Sequence, residues 1–469
     1  MSKTVVIVGA GMGGLASALA LARQGFRVTV LEARAQAGGL ASSFTCVNLS
    51  FDTGPYILLD RPGLAWAFRA IGLDLDEHVS LRRVDELYDV TLADGTCIPF
   101  FHDLGATAAA IDKLWPGAGR RYEAFVHSIS RRYERLFPLL HSAPSGLRGL
   151  LSAGAWRDVP FLLRPLGAVL ARAGLPPGLA AAVGIWTHVA GQETGQAPSP
   201  MAFVVPLIHT VGAYYPIGGM GTIPAALERA AVAAGVEMRF GTRVTRVRCQ
   251  NGRVRGVETD SGGMVLADAV VSNHSGVGTY LDLVEGVPDR ARRQLARLPL
   301  QSPGVCAYLG VQAEARPPYL RFRLDQGGTR CRLLVLPEVM DPSLRKEGLA
   351  PARLVAPMDH AEAERLGPAG QSAFLEQLLG EAWWRAHTGE ARVVSARKPV
   401  QWGAEFQLFR NSMNPVMTTR FMRAGRLAHR SPHMQGLYLA GSATHPGQWV
   451  SFCAISGVLA AACVSRDLC

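Results

Sequence analysis

The feature that most constrains the fold is a glycine-rich turn between an apolar run and a helical pattern near the start of the sequence. Residues 5–8 form a continuous β-branched run, typical of a strand buried in a parallel sheet. Gly9, Gly11 and Gly14 follow in a GxGxxG spacing, and residues 15–23 then repeat apolar side chains at helical spacing. The first glycine permits the bend, the second lets backbone approach a pyrophosphate, and the third lets helix and strand pack closely. The pattern predicts a dinucleotide at the helix N-terminus.

The residues after this helix favour a nucleotide site over a glycine-rich turn without a ligand. Gly25 ends the predicted helix, residues 27–31 form a second apolar strand, and Glu32 stands at its end. An acidic residue at that place accepts hydrogen bonds from ribose hydroxyls. The sequence therefore predicts a βαβ nucleotide-binding unit.

Three further residues favour a flavin dinucleotide over a nicotinamide one. Arg34 can neutralise phosphate charge, and Gly38 with Gly39 lets a loop run close against a bulky, extended ligand. A simple NAD domain needs no second glycine pair here.

Two later blocks add glycine-rich turns to strand and helix signals. The first, Tyr-Pro-Ile-Gly-Gly-Met-Gly at 215–221, precedes a predicted helix and a meander: helix 222–234 and strands 236–240, 242–247, 253–259 and 265–272. The second is a strand at 436–441, a turn at 442–447 and a helix at about 451–464. That helix carries no charge, which predicts burial. Its N-terminal dipole favours negative charge at the N1/O2 edge of a flavin.

These blocks occur in the same order in the bacterial phytoene desaturase family of the flavin amine oxidase superfamily, which the sequence resembles over nearly its whole length. The likeness rests on Phe-Asp-x-Gly-Pro at 51–55, on 215–221 and on Leu-Tyr-Leu-x-Gly-x-x-Thr-His-Pro-Gly at 437–447. The resemblance implies FAD as cofactor, with Val244 acting through its backbone towards the adenine. The implied FAD-binding residues are Gly9, Gly11, Gly13, Gly14, Glu32, Ala33, Arg34, Gly38, Gly39, Leu40, Gly54, Pro55, Tyr56, Val244, Ser272, Gly441, Ser442, Gly447 and Val450.

Two residues near the implied flavin end are candidates for catalysis. His445 would orient the flavin or relay a proton, or alternatively serve as a structural residue of the turn. Trp449 lies where the family has small residues, and it would wall the flavin pocket or simply belong to the core. Ser272 is an implied FAD contact, but residues 272–274 have the alternative of merely ending a strand. No metal site is predicted.

The predicted fold class is α/β: a discontinuous Rossmann-type FAD-binding domain with a parallel sheet and a β-meander, and an inserted α+β substrate domain. The FAD-binding domain is predicted to comprise residues 1–104, 215–284 and 426–469. Residues 105–214 would form a helical, membrane-associating part of the substrate domain, and 285–425 its remainder.

Charge and composition bear on partners and compartment. The net charge is +11, and only four of the 48 basic residues are lysines, so the excess reflects either a coding bias or an anionic partner. Residues 145–190 interleave apolar side chains with Arg148, Arg157, Arg164 and Arg172, which suits an interfacial segment on an anionic membrane, or an ordinary lid. Nucleic acid is not expected. Eight scattered cysteines and the lack of a signal-peptide pattern predict a cytoplasmic protein, peripheral at the inner face of the membrane, without a transmembrane helix.

The resemblance implies an FAD-dependent oxidoreductase that desaturates a carotenoid or another long isoprenoid by hydride transfer to flavin N5. The flavin would supply the chemistry, while the protein supplies alignment and a dry tunnel. Alternatives are a polyene isomerase or saturase of the same family, a flavin amine oxidase, and a non-catalytic lipid chaperone on the same fold.

Overall fold

The computed structural model describes residues 2–142, 154–189, 191–325 and 330–469. The described strands are β1 Thr4–Val8, β2 Arg27–Leu31, β3 Ser43–Cys46, β4 Leu49–Asp52, β5 Leu81–Arg83, β6 Glu86–Thr91, β7 Cys97–Phe101, β8 Tyr214–Pro216, β9 Glu237–Arg239, β10 Val244–Gln250, β11 Arg253–Thr259, β12 Met264–Leu266, β13 Ala269–Ser272, β14 Val305–Val311, β15 Leu320–Leu324, β16 Cys331–Val335, β17 Ala350–Ala356, β18 Ala391–Arg397 and β19 Leu437–Leu439.

The described α-helices lie between these strands and cover the sheets. They are α1 Met12–Arg23, α2 Arg61–Ala70, α3 Leu75–His78, α4 Leu104–Leu114, α5 Ala118–Leu140, α6 Val159–Leu162, α7 Leu166–Arg172, α8 Pro177–Val183, α9 Ile185–Val189, α10 Val204–Thr210, α11 Thr222–Ala233, α12 Gly276–Gly278, α13 Asp289–Ala296, α14 His360–Gly380, α15 Ala382–Thr388, α16 Pro399–Phe406, α17 Thr419–Ala424 and α18 Val450–Leu468.

A five-stranded parallel sheet forms the centre of the nucleotide-binding part, in the order β19-β13-β1-β2-β9. Side chains alternate between its two faces. Val5 and Ile7 of β1 pack on the side of α1, α11 and α18, whereas Val6 and Val8 pack on the side of the meander. The strands come from distant parts of the chain, so the sheet joins the three predicted FAD-binding segments.

The meander β10-β11-β12 is antiparallel and covers the second face of the five-stranded sheet. The prediction of one meander strand over 265–272 is wrong. The chain instead breaks after β12, and β13 inserts between β1 and β19. The four residues of β13 are fully buried between two parallel neighbours. They therefore belong to the parallel sheet and not to the half-exposed meander.

The second domain contains a seven-stranded sheet in the order β18-β14-β17-β16-β15-β6-β7. Neighbours are antiparallel, except that β15 and β6 are parallel. Strands β6 and β7 lie within residues 1–104, the first predicted segment of the FAD-binding domain, yet they belong to the sheet of the second domain. The predicted boundary after residue 104 is therefore too far along the chain. Leu87, Tyr88, Val90, Ile98 and Phe100 are buried in the core of the second domain, which is why these strands pair there.

The helical insert α4–α10 packs against this second core. The fold class predicted from the sequence is confirmed in its parts: a parallel sheet, a meander and an inserted α+β domain. Arg148 and the other residues of 143–153 lie outside the described residues. One described helix, α18, is long and apolar enough to span a membrane by length and composition alone, and half of it is buried. It packs against α1 and α2.

Candidate functional site

A cavity of about 790 Å³ extends from the turn after β1 towards the seven-stranded sheet. Ligand pockets usually measure about 300–1,000 Å³, so this one can take a large organic molecule. All three segments of the nucleotide-binding part contribute to its wall, for example Gly11, Val244 and Gly441. Val355 from β17 of the second domain also lines it. The cavity therefore connects the two domains.

The glycine-rich turn shapes the start of the cavity. Gly9 has φ +92°, and a Cβ on Gly14 would lie 2.1 Å from the Gly9 carbonyl oxygen. Gly14 thus packs helix against strand and does not line the cavity, whereas Gly11 and Gly13 line it. No side chain caps the N-terminus of α1 at Gly11. The first N–H groups of α1 are therefore free to bind an anion such as a pyrophosphate.

Asn273, within the 272–274 segment whose simplest interpretation in the sequence was the end of a strand, is a central residue of this turn. A Cβ on Gly11 would lie 2.5 Å from its Nδ2, and one on Gly13 or Gly441 would lie 2.6 Å or 2.7 Å from its Oδ1. Asn273 follows β13 and lines the cavity. Its amide therefore fixes the spacing between the turn after β1 and the turn after β19. The only sequence signal was a polar residue at the end of a strand.

Glu32 and Arg34 occupy the predicted ribose and phosphate end of the cavity. Glu32 is buried and accepts hydrogen bonds from the backbone N–H groups of Ala10 (2.7 Å) and Arg34 (2.9 Å). The Arg34 guanidinium donates to the hydroxyl of Ser42 (3.1 Å) and lies 4.2 Å from the Phe406 ring centroid. Both residues line the cavity. The contacts hold Glu32 and Arg34 in place before any ligand binds.

The neighbouring loops complete this side of the wall. Ala33, Gly38, Gly39, Leu40, Gly54, Pro55 and Tyr56 all line the cavity. Arg353 from β17 donates to the carbonyl oxygens of Asp52 (3.0 Å) and Gly54 (2.7 Å). This buried arginine ties the loop at residues 52–54 to the second domain, and its side chain also faces the cavity.

The opposite end of the cavity lies at the N-terminus of α18. Ser442, Trp449 and Val450 line it, and no side chain caps the helix at Trp449. The Trp449 ring stacks on Phe452 at 4.7 Å between centroids, with an interplanar angle of 11°. An uncapped helix N-terminus stabilises negative charge nearby. The arrangement suits the N1/O2 edge of a flavin, with Trp449 as an aromatic wall.

His445 does not line the cavity, in contrast to its predicted catalytic role. Its Nε2 lies 3.0 Å from the carbonyl oxygen of Leu139 at the end of α5. Burial lowers the pKa of His445 to about 4, so the ring is neutral at physiological pH. The geometry supports the alternative of a structural residue, one that joins the turn after β19 to the helical insert.

Two other predicted contact residues also lie outside the cavity wall. The Ser272 hydroxyl is within 2.7 Å of the Thr279 hydroxyl in a buried pair. At Gly447, a Cβ would lie 2.9 Å from the Arg426 guanidinium and 3.1 Å from the Phe452 ring. Both residues therefore hold neighbouring segments together, because their surroundings are protein atoms and not the open space of the cavity.

Asp60 is a buried cavity residue that no motif in the sequence marks. Its carboxylate accepts hydrogen bonds from the Ser451 hydroxyl (2.9 Å), the Tyr133 hydroxyl (3.3 Å) and the Gly63 N–H (3.1 Å). Burial raises the pKa of Asp60. The residue connects the start of α2, helix α5 and the first turn of α18. In sequence it looks like an ordinary helix N-cap.

The residues present fit a flavin dinucleotide. Gly11 and Gly13 leave room for backbone approach, Glu32 stands at the ribose end, and two uncapped helix N-termini meet the cavity. These groups would hold the pyrophosphate at α1 and the flavin edge at α18.

Comparison with known proteins agrees with this interpretation. The profile of a family described as flavin containing amine oxidoreductase matches residues 12–309. A zeta-carotene-forming phytoene desaturase of Myxococcus xanthus is 28% identical, with 95% of this chain and 90% of that protein covered. A hydroxyneurosporene desaturase of Rhodobacter capsulatus is 29% identical, with 99% and 98% covered. A 4,4'-diapolycopene oxygenase of a Methylomonas species is 25% identical, with 100% and 99% covered.

Solved structures share the fold at lower sequence identity. Putrescine oxidase bound to putrescine has a TM-score of 0.66 at 16% identity, with 99% of each chain covered. A fatty acid isomerase from P. acnes has a TM-score of 0.63 at 13% identity, with 100% of this chain and 99% of that one covered.

Proposed function

The chain belongs to the family of flavin-containing amine oxidoreductases, and on that premise we propose that it is an FAD-dependent desaturase of a carotenoid or another long apolar isoprenoid. The observation that carries the proposal is the continuity of the cavity. It passes from the nucleotide end at Glu32 to an apolar end at Trp186, Met201, Val204 and Val355. An apolar chain and the flavin could therefore occupy one cavity.

When bound, FAD would supply a two-electron acceptor for a hydride from an allylic carbon, while the neighbouring carbon releases a proton to the medium as the double bond forms. The chain's own residues position that carbon and exclude water. Met201 and Val204 come from the helical insert, and Val355 comes from β17, so the substrate end is closed from two sides. Trp449 remains the candidate aromatic wall of the flavin end, where it would orient a conjugated substrate.

Relatives with desaturase names support desaturation over the alternatives of isomerisation, saturation or amine oxidation. The experiment uses the purified flavoprotein with phytoene dispersed in detergent and a quinone as electron acceptor. We expect the polyene absorbance to shift to longer wavelength, because each desaturation lengthens the conjugated system. Protein stripped of FAD is the control and should cause no shift.

Four results would overturn this proposal. A loss of conjugation would indicate a saturase, a changed spectrum at constant substrate mass would indicate an isomerase, and peroxide release with putrescine would indicate an amine oxidase. No reaction in the presence of bound flavin would support a non-catalytic lipid carrier.

We also propose that the protein is cytoplasmic and associates peripherally with the inner face of the membrane, where such a substrate dissolves. Two large apolar side chains of the insert are exposed, Trp156 at 54% and Leu163 at 45%. Each is next to an arginine in sequence, Arg157 or Arg164. Aromatic and arginine side chains together suit the headgroup region of a bilayer.

A further inference from the structure

A second cavity, of about 410 Å³, lies between α5 and the segment that contains α6 and α7. It is separate from the cofactor cavity and shares no lining residue with it. Its most unusual property is the number of guanidinium groups in its wall: Arg121, Arg132, Arg157, Arg164 and Arg172.

The positive charge of this arginine pocket is largely uncompensated. Asp158 is fully buried, and its carboxylate already pairs with Arg132 at 2.7 Å and with Arg135 at 2.8 Å. Within the described residues, no carboxylate lies within 4.0 Å of the other four pocket arginines. Several unpaired guanidinium groups around one cavity favour an anion that offers more than one acceptor oxygen, such as a phosphate.

The rest of the wall is apolar, which a free phosphate does not require. Phe125 and Ile129 from α5 and Phe161 and Val169 from the facing segment line the same cavity. The ligand that matches this wall has an anionic head and an apolar part. A phospholipid headgroup with the first methylenes of its acyl chains meets both requirements.

A segment that lines the arginine pocket is hydrogen-bonded to the segment that leads to the substrate end of the cofactor cavity. The Ser199 hydroxyl donates to the Phe161 carbonyl oxygen (2.7 Å), and the Ser199 N–H donates to the Arg164 carbonyl oxygen (3.1 Å). Two residues further along the chain, Met201 lines the cofactor cavity. A lipid held in the pocket would therefore place the bilayer beside the substrate end.

We propose that the arginine pocket binds the phosphate group of an anionic phospholipid and so orients the helical insert on the membrane. The lipid-binding proposal rests on the proposed function in one respect, namely that the apolar substrate comes from the bilayer. It goes beyond general surface attraction, because it assigns binding to one cavity with a defined set of arginines.

The test measures binding of the holoprotein to vesicles of phosphatidylcholine alone and of phosphatidylcholine with phosphatidylglycerol in equal parts. The pocket variant is Arg121→Gln/Arg164→Gln/Arg172→Gln, and the control is Arg290→Gln/Arg293→Gln/Arg297→Gln. The control removes the same charge from α13 and its C-cap residue Arg297, and α13 packs against the meander side of the protein. Flavin absorbance of each variant shows whether it is folded, and Arg172→Glu, at an exposed position, is the second variant.

We expect the pocket variant to lose roughly a hundredfold in partition onto the anionic vesicles, since three interfacial arginines are removed. The control should stay within about twofold of the wild type, because charges more than a Debye length of ~8 Å from the bilayer are screened. Arg172→Glu should also weaken binding. Trp156→Ser/Leu163→Ser should weaken binding to both kinds of vesicle, because it removes apolar insertion and not headgroup recognition.

Equal losses in the pocket and control variants would overturn the proposal and show diffuse attraction to the net charge. Inorganic phosphate that displaces the protein from vesicles at low millimolar concentration, with no dependence on lipid, would overturn it in favour of a free-phosphate site. Phytoene conversion in detergent should be unchanged in the pocket variant. Vesicle binding and conversion can therefore fail independently.

Discussion

At the scale of single residues, Asn273 shows how a site can depend on a side chain that carries no motif. Its amide lies against glycines of two turns that are more than 400 residues apart, Gly11 and Gly441. The amide is neutral, which matters because the pyrophosphate end of the cavity begins beside it.

We predict that Asn273→Asp weakens FAD binding with little effect on folding. The replacement keeps the shape but adds a negative charge beside the expected phosphates. Like charges repel, so the dissociation constant should rise about tenfold or more, or ~1.4 kcal/mol. Titration of the apoprotein with FAD, followed by flavin fluorescence, measures it.

The matched control is Asn251→Asp. Asn251 has φ +52° in the exposed hairpin turn between β10 and β11, and aspartate also tolerates this conformation. The control makes the same charge change far from the cavity. Equal FAD affinities in the two variants would show that Asn273 does not face the phosphates.

Residues with a local signal could be predicted from sequence, and residues placed by tertiary contacts could not. Gly11, Glu32 and Gly38 stand in a spacing that the chemistry of a dinucleotide imposes, and all three line the cavity. Asp60 and Asn273 are common residue types at common positions, a helix N-cap and a strand end. Only the fold brings them to the same wall.

At the scale of elements, the crossing of α1 and α18 determines where the two helix N-termini stand. A Cβ on Gly457 of α18 would lie 2.3 Å from the Gly13 carbonyl oxygen and 2.8 Å from the Ala16 Cβ. The Ser17 hydroxyl donates to the Gly457 carbonyl oxygen at 2.9 Å. The helices can approach this closely only because small residues meet at the contact.

We predict that Gly457→Ala lowers the free energy of unfolding by about 1–3 kcal/mol, because the added methyl group forces the helices apart. The same displacement moves the N-terminus of α1, so FAD affinity should fall as well. Urea unfolding of the holoprotein and FAD titration measure the two effects.

The control is Gly380→Ala at the end of α14, where a Cβ meets nothing within 4 Å. There alanine should leave stability unchanged or raise it by up to about 1 kcal/mol, since alanine favours helix more than glycine does. If both substitutions have the same effect, the crossing is not tightly packed and the prediction is wrong.

At the scale of the whole molecule, the ligand cavity lies where the three chain segments of the nucleotide-binding part and the two domains meet. Glu32 belongs to the first segment, Val244 to the second and Trp449 to the third. A ligand that touches all three should stabilise the entire protein and not one part of it.

We predict that FAD stabilises the apoprotein more than FMN does. FMN lacks the adenylate half and cannot reach Glu32 and Trp449 together. At a concentration a hundredfold above its own dissociation constant FAD should contribute about 2.7 kcal/mol, and FMN at the same concentration should contribute less because it binds more weakly. Thermal unfolding with each flavin and with AMP measures this, and equal shifts for FAD and FMN would contradict it.

The overall architecture divides into a part with strong sequence signals and a part without them. Strands β1 and β2 are apolar runs on either side of the glycine-rich turn and its helix, so the sequence predicted both. Strand β6 pairs in parallel with β15, more than 200 residues later, and nothing near β6 in sequence indicates that partner. The predicted domain boundaries after residues 214, 284 and 425 stay predictions.

The interleaved order of the five-stranded sheet has a consequence for how the protein is made. Its strands β1 and β2 leave the ribosome early, but β13 stands between β1 and β19 and β19 follows hundreds of residues later. Contacts between such distant segments form slowly. Until β19 is made, the outer edge of β13 has no partner strand, and an unpaired apolar edge of this kind favours aggregation of the incomplete chain.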